Sequence, residues 1–246
     1  MDFIRIGDHV VHARRDGDVQ SPPLVLVNAC GTDLRVWERL TRYLAERFHV
    51  VRYDLRGHGL SPVAGKVTAL QDLTTDLAGL LDQLDTGPAI LVGHALGGRI
   101  ALDLQHRRPD LVTSLVLLAT TLRANDAPAD PHQLVDHWFS PEFSRQRRDD
   151  VAGWQAMLAL TPTEAYVAAN ATLAHSSAEA ACHAVRVPTF VLAAEEDRLA
   201  PPVAVRELAE RIAGARYEVI RHAGHLAPVE QPAAVAAAIL SVVDRT

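Results

Sequence analysis

Ten residues, Ala89-Ile90-Leu91-Val92-Gly93-His94-Ala95-Leu96-Gly97-Gly98, constrain this chain more than any other stretch. A short apolar run feeds a glycine-flanked turn, and a helical pattern (Ile100, Ala101, Leu104) follows at once. A strand that passes straight into a helix in this way can hold one side chain on a strained elbow above a sheet. Gly93 and Gly97 have no Cβ, so strand and helix can close tightly around the residue between them. In an elbow of this kind that residue is the nucleophile. Here it is Ala95, whose methyl group cannot attack a carbonyl.

The rest of the chain repeats the rhythm. Residues 3–6 and 9–13 read as an opening hairpin with Gly7-Asp8 as its turn. The continuous apolar run at 24–28, the segment 49–53 and the run 111–119 suit strands covered on both faces. Helical patterns fall between them, over 36–47 (Val36, Trp37, Leu40, Tyr43, Leu44) and 70–84 (Leu73, Leu77, Leu80, Leu81, Leu84). A strand at 187–194, a helix at 203–213, a strand at 217–220 and a helix from Pro232 to 243 complete the series. The alternation predicts an α/β fold with a mostly parallel sheet and helices on both faces. Between 120 and 186 the rhythm breaks into short helical pieces carrying Trp138, Phe139, Phe143, Trp154 and Met157, with no convincing strand. The predicted organisation is a core of 1–119 and 187–246, with 120–186 as a helical cap that shapes the substrate pocket.

Composition removes several alternatives. The 246 residues suffice for one large domain, and 48% hydrophobic with 22% charged residues is ordinary for a globular chain. A net charge of −6 and the lack of any dense Lys/Arg run argue against nucleic acid as a partner. Cys30 and Cys182 lie far apart and form no metal-binding pattern, so neither metal nor cofactor is expected. The amino terminus lacks an apolar signal core and no run approaches the ~18 apolar residues of a membrane span. The expected location is the cytoplasm, and the expected partner is a small-molecule substrate.

Three loops that follow strands carry the candidate chemistry: the elbow at 95, an acid loop Glu195-Glu196-Asp197, and a histidine loop from His222 to His225. Open α/β sheets gather ligands at the carboxyl ends of their strands, where all three loops belong. His225 and His222 both qualify as the base, and the acid is Asp197 or one of its neighbours. His58 and His94 read as structural hydrogen-bonders, and Cys30 as a small buried residue in the loop after the 24–28 strand.

The order elbow, acid, histidine matches α/β-hydrolases. Within them, the chain most resembles 3-oxoadipate enol-lactonases. The resemblance rests on the stretch from Asn28 to Trp37, on Arg52-Tyr53-Asp54-Leu55-Arg56-Gly57-His58-Gly59, and on Trp138-Phe139-Ser140-Pro141-Glu142-Phe143. Thr161-Pro162-Thr163-Glu164-Ala165-Tyr166 and the run from His225 to Pro232 extend it over most of the chain. It implies His225 as catalytic histidine, Asp197 as its acid, and the N–H groups of Cys30 and Leu96 as an oxyanion hole. The nucleophile does not carry over to Ala95. The substrate class implied is a small carboxylated ester or lactone, with Trp138 lining the pocket and Arg35, Arg56, Arg99 and Arg145 as candidate carboxylate grips.

Ala95 leaves three functions open. One is a serine hydrolase whose nucleophile has been replaced. Another is a natural serine-less hydrolase in which His225 and Asp197 activate water or carry out lyase or isomerase chemistry. The motif Gly93-His94-Ala95-Leu96-Gly97 is similar to that of aminoacrylate hydrolases of pyrimidine breakdown. The third is a binding protein that kept the pocket without turnover.

Overall fold

The computed structural model describes residues 2–65, 67–123, 134–174 and 176–243. Eight strands form one sheet: β1 (Asp2–Ile6), β2 (His9–Asp16), β3 (Pro23–Val27), β4 (His49–Tyr53), β5 (Ala89–His94), β6 (Val112–Leu118), β7 (Thr189–Ala194) and β8 (Arg216–Ile220). Their order is β1-β2-β4-β3-β5-β6-β7-β8. The β1–β2 hairpin joins β4 antiparallel at one edge, and every pair from β4 to β8 is parallel.

In β4, β5 and β7 every residue is buried, whichever face its side chain takes. Burial of both alternating sets requires cover on both sides of the sheet. Helices α1 (Glu38–Leu44), α2 (Leu70–Leu84) and α3 (Leu96–Arg107) supply part of it. The closing helices α8 (Pro202–Glu210), α9 (Ala227–Glu230) and α10 (Pro232–Val243) supply more. α2 packs on α3, and α1 packs on α10.

Between β6 and β7 the described residues form four further helices: α4 (Pro141–Gln146), α5 (Arg148–Leu158), α6 (Thr163–Ala174) and α7 (Glu179–Ala184). No strand interrupts them among the described residues. Trp138, Phe139 and Tyr166 of this segment are buried against the core. The main chain stitches the segment down where Leu226 N donates to Trp138 O at 2.9 Å.

One element differs from the sequence expectation. The pattern at 36–47 is a 3-10 turn over Leu34–Trp37 followed by the shorter α1. The Asp33 carboxylate caps this turn by accepting from Arg35 N at 2.9 Å, and Trp37 Nε1 donates to Asn28 Oδ1 at 2.6 Å. These local bonds hold the chain tighter than an α-helix would allow.

Candidate active site

β5 ends at His94 and α3 begins at Leu96, so Ala95 alone makes the turn. Its backbone takes φ 49° and ψ −106°, outside the regions open to an L-residue without strain. Three hydrogen bonds enforce this. Ala95 N donates to Leu118 O at 2.9 Å, while Gly98 N and Arg99 N donate to Ala95 O at 3.1 and 3.2 Å. Close packing completes the elbow. A Cβ on Gly93 would overlap Gly97 O, and one on Gly97 would overlap the Val27 carbonyl of β3.

The acid loop after β7 and the histidine loop after β8 meet beside the elbow. His225 Nδ1 lies 2.8 Å from Asp197 Oδ2, with both side chains almost wholly buried. Asp197 Oδ1 accepts from Leu199 N at 2.8 Å and Ala200 N at 2.9 Å. An ionised carboxylate so held accepts the Nδ1 proton of a neutral imidazole and leaves Nε2 basic. The neighbouring candidates take other parts. Glu195 accepts from the main-chain N–H of His222 at 3.0 Å, and Glu195 and His222 are exposed.

The loop after β3 closes the third side. Thr32 N and Thr32 Oγ1 both donate to Ala29 O, at 3.2 and 2.9 Å, which fixes a turn around Cys30. Gly31 takes a positive φ of 77°, and its N–H donates to His58 Nε2 at 3.1 Å. His58 Nδ1 in turn donates to Arg56 O at 3.2 Å, so the expected structural role of this histidine is met. No described residue accepts a hydrogen bond from Cys30 N or Leu96 N. Leu96 N opens α3, where the helix dipole favours negative charge. The Cys30 thiol is pushed up to about 12 by burial, so it stays protonated.

Ala95, Leu96, Cys30, His225 and Trp138 line one cavity. Tyr166, Asn170 and Leu173 of α6 line it as well. The sequence candidates for a carboxylate grip divide sharply. Arg35 is chelated by Asp33 (Nη2 to Oδ2, 2.6 Å) and half exposed, outside the cavity lining. Arg56 is spent on Asp76, and Arg145 lines an outer hollow with Arg148 and Asp149. The arginine that reaches the cavity is Arg99. His94 also departs from expectation. It is fully buried, with its ring 4.7 Å from that of His225. Neither of its ring nitrogens has a partner of normal hydrogen-bond geometry among the described residues.

Glu230 was legible only as part of a motif. Its carboxylate accepts from Ser140 Oγ at 2.6 Å and from Gly224 N at 2.8 Å. That bond pair ties the histidine loop to the start of α4 at Ser140. Burial raises the Glu230 pKa above the ordinary carboxylate value. Among the described residues, the one cluster with metal-ligand spacing is Glu195, Glu196 and His222, none of which lines the cavity.

The comparisons with known proteins agree with this architecture. The chain is 27% identical over 244 residues to 3-oxoadipate enol-lactonase 2 of Acinetobacter baylyi, covering 93% of this chain and 91% of that protein. The crystal structure of an enol-lactonase from Burkholderia xenovorans superposes with a TM-score of 0.92 at 27% identity, covering 99% of this chain and 100% of that one. A thermophilic esterase from Thermogutta terrifontis, solved with malate bound, gives a TM-score of 0.90 at 25% identity over 99% of this chain and 98% of that one. Residues 24–238 match the model of the alpha/beta hydrolase family, and the chain belongs to that family.

Proposed function

We propose that this chain hydrolyses a small ester or lactone by direct attack of water, without a covalent intermediate. The observation that carries the reading is the buried Asp197–His225 pair facing an elbow whose apex is Ala95. The names of the enol-lactonase and esterase relatives support the substrate class. The reading takes 120–186 as a cap over a core made of 1–119 and 187–246.

In the proposed cycle the substrate carbonyl lies above the Ala95 methyl, and a water occupies the space a nucleophilic side chain would fill. His225 Nε2 takes a proton from that water as its oxygen bonds to the carbonyl carbon. The carbonyl π pair moves onto oxygen, which is stabilised by the Cys30 and Leu96 N–H groups. When the tetrahedral adduct collapses, the C–O bond to the leaving oxygen breaks and the imidazolium returns its proton to that oxygen. The products are a carboxylic acid and an alcohol or enol. Asp197 keeps the ring oriented and stabilises its charged form.

Removing a nucleophilic serine costs up to ~10⁶ in turnover where the substrate needs one. The cycle therefore suits a substrate that is already labile, such as an enol ester. The test is progress curves with enol-lactones and simple phenyl esters, alongside intact-protein mass spectra during turnover. Hydrolysis with no burst and no mass adduct, lost in His225→Gln, is the expected result. Tight ligand binding without turnover by this chain or by Ala95→Ser would replace the reading with that of a binding protein.

A further inference from the structure

The proposed hydrolytic cycle leaves one charged group in the cavity wall unused. Arg99 lies on α3 one turn beyond Ala95, and its side chain lines the same cavity. Residues four apart share a helix face, so elbow and guanidinium address one ligand from the same side. Arg99 is 2% exposed. Its Nη1 donates to Thr121 O and to Leu122 O, each at 3.1 Å, and its Nη2 to Ser176 Oγ at 2.9 Å.

All three acceptors are neutral. No carboxylate pairs with Arg99 among the described residues, and Asp103 one turn further on is engaged by Arg107 at 2.8 Å. No Asp or Glu is among the described residues that line the cavity. A guanidinium has five N–H groups and keeps its proton at any ordinary pH. Two of them, including Nε–H, have no acceptor among the described residues. Among the described residues the cavity thus contains a buried permanent cation with no carboxylate in contact, and burial works against its charge. An anion brought in by the ligand relieves that imbalance, and a carboxylate matches the planar fork of the guanidinium.

We infer that Arg99 binds a carboxylate on the substrate, which confines the cavity to small ligands with a carboxylate a short aliphatic chain away from the reacting carbonyl. The second half of this statement rests on the hydrolytic reading, whereas the anion preference does not. The rival account makes Arg99 a buttress, because its three acceptors all lie where the chain enters and leaves the cap. A buttress stabilises the fold without preferring charged ligands.

Calorimetric titration of the wild-type chain with sodium adipate and with adipamide at matched ionic strength separates the two. Binding of adipate about tenfold or more tighter than adipamide is expected, since hydrogen bonds to charged partners are the stronger class. In Arg99→Met the ratio falls to near one, and Arg99→Lys retains part of it. A wild-type ratio near one overturns the inference whether or not the variants fold, as does an unchanged ratio in a folded Arg99→Met chain. The hydrolytic reading is judged separately, with the wild-type chain acting on phenyl acetate and on the monophenyl ester of adipic acid. Failure on both esters removes that reading and leaves the adipate-to-adipamide ratio to decide the role of Arg99. Hydrolysis of both with equal kcat/KM removes the Arg99 inference alone.

Discussion

His225 Nδ1 and Asp197 Oδ2 sit 2.8 Å apart, and the other Asp197 oxygen is clamped by two main-chain N–H groups. The carboxylate therefore cannot turn away from the ring. Whatever chemistry occurs above Ala95 inherits an imidazole of fixed orientation, with its proton on Nδ1 and its lone pair on Nε2. The pair draws its two members from loops after different strands, so the sheet itself sets the distance.

Asp197→Asn tests whether that orientation matters. The amide keeps the shape but can offer an N–H to Nδ1, which drives the ring proton to Nε2 and removes the base. Turnover of an enol-lactone should fall by ~10²–10⁴-fold with little change in KM, the range a positioned general base supplies. Steady-state kinetics on the purified variant measure it. A loss confined to KM would make the pair a binding feature.

Ala95→Ser adds the side chain that the elbow is shaped to present. On the proposed reading its Oγ would lie beside His225, and the Cys30 and Leu96 N–H groups would serve the oxyanion it generates. On the direct-water reading ester hydrolysis does not rise, whereas a rise of roughly a hundredfold or more, with a burst of one product per chain as an acyl-enzyme forms, would mark an elbow built for serine. Rapid-quench kinetics with a phenyl ester would show it. An unchanged rate would mean that the cavity positions water rather than a side-chain nucleophile.

Ala95→Gly concerns stability instead. At φ 49° and ψ −106° the alanine Cβ is strained, whereas glycine takes that conformation with ease. Relief of a strained non-glycine residue is worth about 1 kcal/mol, partly offset by the entropy glycine gains in the unfolded chain. The variant should unfold at equal or higher urea concentration than the wild type. Clear destabilisation would show that the methyl packs more strongly than the backbone is strained.

Much of this site could be read from the residues alone, for physical reasons that differ by element. Both-face burial leaves continuous apolar runs, which is why β3, β5 and β7 stood out. The glycines of the elbow announced themselves because no other residue survives contacts with Gly97 O and Val27 O. Choosing Asp197 over Glu195 and Glu196 needed motif resemblance, and the 2.8 Å contact provides a direct reason. The arginines were harder. Arg35, Arg56 and Arg145 found partners or surface settings that depend on tertiary placement, which no local pattern encodes. Only the four-residue spacing from Ala95 carried a signal for Arg99. His94 escaped for a similar reason, since a histidine in a strand gives no hint that its ring will lie against that of His225.

The thiol of Cys30 should be inert in the folded chain. Burial pushes it up to about 12, so the thiolate fraction at pH 8 is about 10⁻⁴. Iodoacetamide at pH 8 should label Cys30 far more slowly than in denaturant, with peptide mapping to resolve it from Cys182. Fast native labelling would mark the loop after β3 as open.

His58 couples the loop after β3 to pH. Both of its nitrogens are committed in the neutral form, Nδ1–H to Arg56 O and Nε2 to Gly31 N–H. Protonation would set a second N–H against the Gly31 donor, and burial already lowers its pKa from 6.5. For a base whose folded pKa is depressed, the folded state binds fewer protons than the unfolded state as pH falls below 6.5. Stability is therefore fully present above that value and is lost on acidification toward the folded pKa. The slope approaches about 1.4 kcal/mol per pH unit for one such group. His94, depressed in the same direction by burial, adds to it. Urea unfolding between pH 7.5 and about 5 should show the decline, and His58→Gln should make it shallower because the amide oxygen still accepts from Gly31 without titrating. If the variant keeps the wild-type slope, the proton uptake resides elsewhere, and the bond from Gly31 is not what holds the loop after β3.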